Sequence, residues 1–375
     1  MRPLQMVDTK SQYLKIKSEV DAAVIAVMES SQFIGGSVVD DFTTALAAYH
    51  DSTYCIPCAN GTDALQIALM ALGIKAGDEI ITPSFTYIAT VEVAALLGIR
   101  PVFVEVDKES FCIDPKKIEQ AITAKTKAII PVHLYGQAAD MEAIMEIATR
   151  HGLYVIEDNA QGIGNRYSFT DGTTKMTGSM GHIGCTSFYP SKNLGAFGDG
   201  GAMFTDDEML AKKMKMIASH GQSVRYYHDV VGCNSRLDAM QAAVLNIKLR
   251  YLDDYIAARV KVADGYDAAF KNNPNFDVPF RASNNSHVFH QYTLTLKGND
   301  RDALYAHLVK SGIPCMIYYP VPAHRQKMFD AFGGSDFDLP ITDWLTQRVI
   351  SLPIHTEMDA EQQSVICEAV LSFFK

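Results

Sequence analysis

The chain lacks any apolar run of the roughly 18 residues that suggests a membrane-spanning helix, and its start, MRPLQMVDTK, lacks the apolar stretch of a signal peptide. It also lacks a surplus of positive charge, because 33 Lys and Arg stand against 43 Asp and Glu. Proteins that bind nucleic-acid phosphates usually carry a basic stripe. We therefore expect a cytoplasmic protein that binds neither membranes nor nucleic acid, although a few arginines in a cleft could hold an anionic small substrate.

Cysteine is sparse, and its odd count of seven favours a reducing compartment over a disulfide framework. Cys55 and Cys58 form a single C-x-x-C, which without a second pair is not typical of a zinc site. His287 and His290 are three residues apart but have no third candidate ligand. The sequence therefore predicts no metal.

Internal repeats and low-complexity segments are absent, and 375 residues are too many for one ordinary core. From about Tyr54 to Thr205, short apolar runs alternate with helical patterns, which is typical of a mostly parallel sheet with helices on both faces. We predict an α/β fold, with a large domain over residues 1–250 and a smaller C-terminal α+β domain over residues 251–375.

Individual elements follow from the same patterns. In the large domain the predicted strands are 79–82, 100–104, 128–132, 153–157, 186–188 and 201–204, and the predicted helices include 62–72 and 140–150. The stretch 235–270 is almost free of Gly and Pro, which predicts one long helix that crosses between the domains near Tyr251. Beyond it we predict strands 290–296, 313–318 and 349–352, and helices 301–311 and 359–374.

Two residues carry the main chemical signal. Asp158 follows the apolar run LYVI, at the predicted carboxyl end of a strand, where open α/β sheets bind their ligands. Lys192 lies among small and turn-forming residues in CTSFYPSKNLGAFGDGGAMF. Alone, Asp158 would be a helix cap and Lys192 a solvated side chain. Together they favour pyridoxal phosphate, which needs a lysine for covalent attachment and an acidic partner for its ring nitrogen.

The phosphate of such a cofactor also needs donors. The motif NGTDAL places Gly61 and Thr62 at the start of a predicted helix, whose free amides could hold a phosphate, although an ordinary helix cap is the alternative. Ser187, five residues before Lys192, adds a hydroxyl. The motif PSFTY supplies two aromatic rings that could stack on the cofactor or belong to the core.

Taken together, the motifs NGTDAL, PSFTYIAT, IPVHLYGQ, VIEDNAQ, SFYPSKNLGAFGDGGA and CNSRLDAMQAA resemble the DegT/DnrJ/EryC1/StrS family of sugar aminotransferases over nearly the whole chain. Within it the chain looks similar to enzymes that aminate C3 of a UDP-2-acetamido-3-keto-glucuronate in O-antigen synthesis. The resemblance implies a fold-type I enzyme that uses pyridoxal 5'-phosphate, with glutamate as amino donor, released as 2-oxoglutarate, and a nucleotide-linked keto-sugar as acceptor.

The resemblance also assigns roles to residues at matching positions. It makes Lys192 the Schiff-base lysine and general acid/base, with Asp158 on the pyridine nitrogen and Gln161 beside the ring hydroxyl. The other implied cofactor contacts are Gly61, Thr62, Ser187 and Tyr87, with Asn234 from a neighbouring subunit. A homodimer with shared active sites follows from that last contact.

The implied substrate contacts are Tyr189, Arg236, Tyr319 and His324. Arg236 could clamp a sugar carboxylate through two hydrogen bonds, with a salt bridge as the alternative. The segment YYPVPAH matches a loop that often reads H-Y-P-x-P-x-H in relatives, with Tyr318 at the first histidine. A phenol cannot change charge near neutral pH as an imidazole can. The motif therefore does not determine which sugar is the substrate.

Several alternatives remain. An aminotransferase for C4 of a keto-deoxy-sugar, or for C3 of a dTDP-sugar, would share the fold and cofactor. A sugar dehydratase is disfavoured, because such relatives carry histidine where this chain has Lys192. A nicotinamide-dependent dehydrogenase would need G-x-G-x-x-G, and Gly162-x-Gly164 lacks the third glycine. A non-catalytic regulatory protein that binds pyridoxal phosphate is the alternative from another class.

Overall fold

The computed structural model describes residues 2–375. Its helices are α1 (Thr9–Lys15), α2 (Lys17–Ser30), α3 (Ser37–Tyr49), α4 (Gly61–Ala71), α5 (Ala89–Leu96), α6 (Pro115–Ala121), α7 (Met141–His151), α8 (Glu208–Ala218), α9 (Ala239–Leu249), α10 (Leu252–Phe270), α11 (Arg301–Lys310), α12 (Pro340–Thr346) and α13 (Ala360–Phe373). Its strands are β1 (Tyr54–Cys58), β2 (Glu79–Pro83), β3 (Arg100–Val104), β4 (Thr126–Ile129), β5 (Tyr154–Asp158), β6 (Arg166–Ser168), β7 (Thr174–Met176), β8 (Ile183–Ser187), β9 (Gly201–Thr205), β10 (Gln222–Val224), β11 (Tyr227–His228), β12 (Phe276–Asp277), β13 (Tyr292–Leu296) and β14 (Val349–Leu352).

The central sheet has seven strands in the order β1-β9-β8-β5-β4-β2-β3. Neighbours from β8 to β3 pair in parallel, whereas β9 is antiparallel to both β8 and β1. Consecutive residues of a strand face opposite sides of a sheet, so Ile80 packs with α4 and α8 while Ile81 packs with α6 and α7. The predicted mostly parallel sheet with helices on both faces is confirmed.

The C-terminal part has its own three-stranded antiparallel sheet, in the order β12-β13-β14. Helices α10, α11 and α13 share a buried core with it, which includes Tyr266, Leu304 and Ile366. This matches the predicted α+β character. The start of the chain also reaches this part, because the N–H of Ile354 donates to the carbonyl of Met6 at 3.2 Å. The domain boundary near Tyr251 stays a prediction.

Two element predictions are wrong. The segment 235–270 forms two helices, α9 and α10, rather than one, and they are separated at Arg250 and Tyr251. Both residues bond to Glu19 of α2, with 2.7 Å between the Tyr251 hydroxyl and the carboxylate. The segment 313–318 is not a strand: only Met316 forms a bridge, to Ser351, and Pro314 cannot donate to a ladder.

The ends of several correctly predicted strands also differ. The predicted strand 186–188 is β8, which runs from Ile183 to Ser187, and the predicted strand 128–132 is β4, which ends at Ile129. Ends of elements depend on tertiary hydrogen bonds more than on periodicity. Across residues 2–375, no helix combines the length and the apolar character needed to cross a membrane.

Candidate active site

Asp158 ends β5, which lies between β4 and β8 near the middle of the sheet. Its side chain is buried, and its Oδ2 accepts a hydrogen bond from the Thr90 hydroxyl at 2.7 Å. Its Oδ1 accepts from the N–H of Ala160 at 3.1 Å. These two donors orient a buried carboxylate at the carboxyl end of a central strand, where α/β sheets place ligands.

Lys192 lies in the turn that follows β8. Its N–H donates to the carbonyl of Tyr189 at 2.8 Å, and the next side chain, Asn193, donates to the carbonyl of Val288 at 3.0 Å. Burial lowers the pKa of Lys192 to about 8, and the negative charge of Asp158 opposes that shift. A substantial fraction of Lys192 is therefore a neutral amine near pH 8, the form that attacks a carbonyl carbon.

The start of α4 lies against the turn that carries Lys192. The Asn60 side chain caps this helix by accepting from the N–H of Asp63 at 2.8 Å. A Cβ added at Gly61 would lie 2.7 Å from the Cβ of Ser187, so only glycine fits there. Gly61, its neighbour Thr62 and Ser187 thus come together at a helix N-terminus, an arrangement that suits a phosphate group.

One wall of the site is polar and aromatic. Gln161 is buried, and its Nε2 donates to the Tyr319 hydroxyl at 3.1 Å while its Oε1 accepts from the N–H of Tyr135 at 2.7 Å. The rings of Tyr319 and Tyr87 lie 6.0 Å apart. Burial raises the pKa of Tyr319, so its hydroxyl stays protonated. The side chain of Tyr87 is 56% exposed, which leaves its ring free to cover a ligand.

Sequence reasoning missed the supports behind Asp158. Thr90 lies in the motif PSFTYIAT, but nothing in the pattern shows that its hydroxyl faces a carboxylate. Glu157 is fully buried, and it accepts from His133 at 2.8 Å and from the main-chain N–H groups of Gly178 and Met180 at 2.7 Å. Burial raises the pKa of Glu157, but these donors outweigh it, so the net shift is downward. The charged Glu157 fixes the segment next to Asp158.

Tyr189 lies in the turn that carries Lys192, and its N–H donates to the Ser187 hydroxyl at 3.3 Å. Among residues 2–375, the side chains of His324, Asn234 and Arg236 form no hydrogen bond to the site residues described above. His324 is only 1% exposed, and its Nδ1 lies 2.7 Å from the Ser84 hydroxyl. Tyr189, Asn234 and Arg236 are exposed. Ser235, between the last two, is buried and accepts from the N–H of Ala59 at 3.0 Å. That contact places the segment 234–236 near the start of α4. The roles of these four residues stay predictions.

The donors present fit pyridoxal phosphate. Gly61 leaves no room for a side chain beside Ser187, Lys192 has a lowered pKa, and the carboxylate of Asp158 is buried and oriented. Gly61, Thr62 and Ser187 could hold the phosphate, Asp158 the ring nitrogen, and Lys192 the aldehyde carbon. The exposed ring of Tyr87 could cover the cofactor.

Comparison with known proteins gives an independent view of this site. Residues 14–371 match the model of the DegT/DnrJ/EryC1/StrS aminotransferase family. The chain is 44% identical over 367 residues to UDP-2-acetamido-2-deoxy-3-oxo-D-glucuronate aminotransferase of Pseudomonas aeruginosa, with 98% of this chain and 99% of the relative covered. It is 45% identical over 372 residues to a protein of Geobacillus stearothermophilus named pleiotropic regulatory protein, with 99% and 98% covered.

A solved structure gives the same result. The crystal structure of ntda from Bacillus subtilis, with bound cofactor PMP, aligns with a TM-score of 0.90 at 32% identity. The alignment covers 99% of this chain and 85% of that one. The predicted fold-type I architecture and the pyridoxal-phosphate cofactor are therefore confirmed. With a match that spans nearly its whole length, this chain is an enzyme that belongs to the DegT/DnrJ/EryC1/StrS aminotransferase family.

Proposed function

We propose that this enzyme moves an amino group from glutamate to the 3-keto carbon of a UDP-linked 2-acetamido sugar, with a carboxylate at C6 of that sugar. The observation that carries the chemistry is Lys192, whose lowered pKa and position across from a buried Asp158 suit a lysine that binds an aldehyde and then moves protons. The substrate class is supported by the 44% identity to the Pseudomonas aeruginosa enzyme. We place the reaction in the cytoplasm, in the synthesis of O-antigen or another surface polysaccharide.

Bound at this site, pyridoxal phosphate supplies an electron sink for the pair left when a proton leaves the donor's α-carbon. The oriented carboxylate of Asp158 would accept a hydrogen bond from the ring nitrogen and favour the protonated form of that nitrogen. The Nζ of Lys192 would take the α-proton of glutamate. In the second half-reaction the same Nζ delivers a proton to C3 of the sugar, so one group serves both directions. Glutamate leaves as 2-oxoglutarate, whose keto oxygen comes from one water molecule, and the keto oxygen of the sugar leaves as another.

The other proposed contacts set the position of the sugar. Gln161 holds the hydroxyl of Tyr319 at 3.1 Å, so this phenol has a fixed direction at the edge of the site. The exposed Arg236 has no ion-pair partner among residues 2–375, which leaves its guanidinium available for an anionic ligand. In a homodimer with shared sites, Asn234 and Arg236 of one subunit would complete the site of the other.

The alternatives remain aminotransferases for C4 of a keto-deoxy-sugar or C3 of a dTDP-sugar. A non-catalytic regulatory protein is a further alternative, and the name of the Geobacillus stearothermophilus relative favours it. That alternative predicts a bound cofactor that glutamate does not change. The match to the aminotransferase family and the identity to a named aminotransferase favour catalysis.

An absorbance titration tests this proposal. We expect the purified protein to show the visible band of a lysine-bound cofactor, and glutamate to convert it to the band of pyridoxamine phosphate. Lys192→Ala should lose both the band and the conversion, whereas Lys175→Ala, at an exposed lysine of the β6–β7 hairpin, should keep them. A wild-type band that glutamate leaves unchanged would favour the regulatory protein. A keto-sugar nucleotide should then restore the band of the lysine-bound cofactor only if it is an amino acceptor. Comparing UDP- with dTDP-sugars, and 3-keto with 4-keto sugars, identifies the preferred acceptor.

A further inference from the structure

A second buried lysine lies behind the turn that carries Lys192. Lys248, on α9, is only 1% exposed, and its Nζ donates to the main-chain carbonyl of Gly195. Among residues 2–375 it forms no ion pair with a carboxylate. Burial lowers the pKa of Lys248 to about 8, and the neighbouring cation Arg259 adds to that shift. Methionine would fill similar space without a buried charge, so the ammonium group calls for a function.

Gly195 belongs to a closed loop around Lys192. The N–H of Ala196 donates to the carbonyl of Phe188 at 2.7 Å, which closes residues 188–196 with Lys192 near their middle. A Cβ added at Gly195 would lie 2.4 Å from the carbonyl oxygen of Pro190, so the second half of the loop packs directly on the first half. Any shift of Gly195 would therefore move the main chain beside Lys192.

Helix α9 also contacts the residue that directly follows this loop. The Oε1 of Gln241, also on α9, accepts from the N–H of Phe197 at 2.8 Å. The Nζ of Lys248 lies 5.5 Å from the ring of Phe197. Helix α9 thus contacts the chain on both sides of the buried Ala196, once inside the loop and once just after it. Of these contacts, the one made by Lys248 lies nearer to Lys192 along the chain.

We propose that Lys248 is a positioning residue for Lys192: its bond to the Gly195 carbonyl holds the loop 188–196 in the conformation that directs Lys192 at its target carbon. This inference rests on the proposed role of Lys192. Lys248 is not proposed to touch substrate or cofactor. It acts only through the main chain of the loop, at the Gly195 carbonyl. It also links the loop to the helix that follows Asn234 and Arg236, the residues proposed to reach a second subunit.

The test compares Lys248→Met with wild type by hydrogen exchange in the cofactor-free protein. We expect the amides of Lys192 and Ala196 to exchange at least about tenfold faster in the variant, because the loop loses its anchor. Amides of β9 should keep their rates. In the holoenzyme, the glutamate-driven change in absorbance should slow at least about tenfold at saturating glutamate, with KM for glutamate changed less than about twofold.

A purely structural lysine predicts another outcome. Lys248→Met would then alter the thermal midpoint while loop exchange and the rate per folded molecule stay at wild-type values, and that result would overturn the inference. If Lys248→Met does not fold, Lys248→Gln, which keeps a shorter donor, is judged by the same two readouts. Lys212→Met, at an exposed lysine of α8, is the matched control. Hydrogen exchange is measured without cofactor and so tests the role of Lys248 by itself. If the proposed function is wrong, the absorbance of the wild-type holoenzyme will not change with glutamate.

Discussion

Gln161 donates a hydrogen bond to the hydroxyl of Tyr319 over 3.1 Å, and this bond joins the residues just after β5 to a loop that lies 158 positions later in the chain. It brings a residue of the predicted cofactor site and a residue of the predicted substrate site into direct contact. The bond therefore connects the two groups of residues proposed from the motifs at this one point.

Tyr319→Phe tests this bond. The variant keeps the ring but removes the hydroxyl, which leaves the Gln161 amide without an acceptor, and such a loss costs about 1–3 kcal/mol. We expect kcat/KM for the keto-sugar nucleotide to fall on the order of tenfold. Steady-state kinetics measure the change, with Tyr227→Phe at an exposed tyrosine as the control. An unchanged kcat/KM would show that the hydroxyl has no part in binding the sugar.

Thr90→Val tests the support of Asp158. The substitution is nearly isosteric and removes the donor that lies 2.7 Å from the carboxylate. The carboxylate should then lose part of its orientation and about 1.5–3 kcal/mol of stabilisation, since hydrogen bonds to charged groups are stronger than neutral ones. We expect a drop in kcat on the order of tenfold, measured by single turnover with glutamate. Thr174→Val, at an exposed threonine, should leave kcat unchanged.

The pH dependence of cofactor attachment follows from Lys192. Its ordinary pKa of 10.5 falls to about 8 through burial, so its neutral form accumulates as the pH rises through 8. The rate at which pyridoxal phosphate attaches to the cofactor-free protein should therefore be half-maximal near pH 8 and level off above about pH 9. Stopped-flow absorbance between pH 6 and pH 10 measures this profile. A rate that keeps climbing toward pH 10 would contradict the lowered pKa.

Arg236→Ala tests the carboxylate on the sugar. If Arg236 forms a charge-assisted contact with C6, its loss costs about 2–3 kcal/mol for a uronate and little for a sugar with a neutral C6. We expect kcat/KM to fall on the order of a hundredfold for the uronate only. Arg225→Ala, at an exposed arginine eleven positions earlier in the chain, is the control. An equal fall in kcat/KM for both sugars would show that Arg236 does not recognise the carboxylate and acts in general substrate binding or at the dimer interface.

The sequence could place Asp158 and Ser187 close together because strand ends have little freedom. Asp158 and Ser187 both end neighbouring parallel strands, so the order of the sheet alone brings them to one edge. The break between α9 and α10 was missed because no Gly or Pro marks it, and the contacts with Glu19 come from a distant helix. Lys248 was missed for a similar reason, since a lysine in a helical pattern is normally solvated.

The burial of His324 could not be predicted from the sequence either. Its partner Ser84 lies 240 positions earlier, and only the folded chain brings the two together. Thr90 shows the same limit. The motif that contains it was identified, but the direction of its side chain depends on how α5 packs against the sheet. Periodicity locates elements, whereas the direction of a polar side chain is set by packing between them.

The close approach of Gly61 to Ser187 has a consequence for redesign of this enzyme. Because a Cβ at position 61 would lie 2.7 Å from the serine Cβ, any larger residue there would have to be introduced together with a smaller one at position 187. That end of the cavity is closed to single substitutions. A change in the shape of the cofactor site is better begun at Tyr87, because its ring is exposed rather than packed in the core.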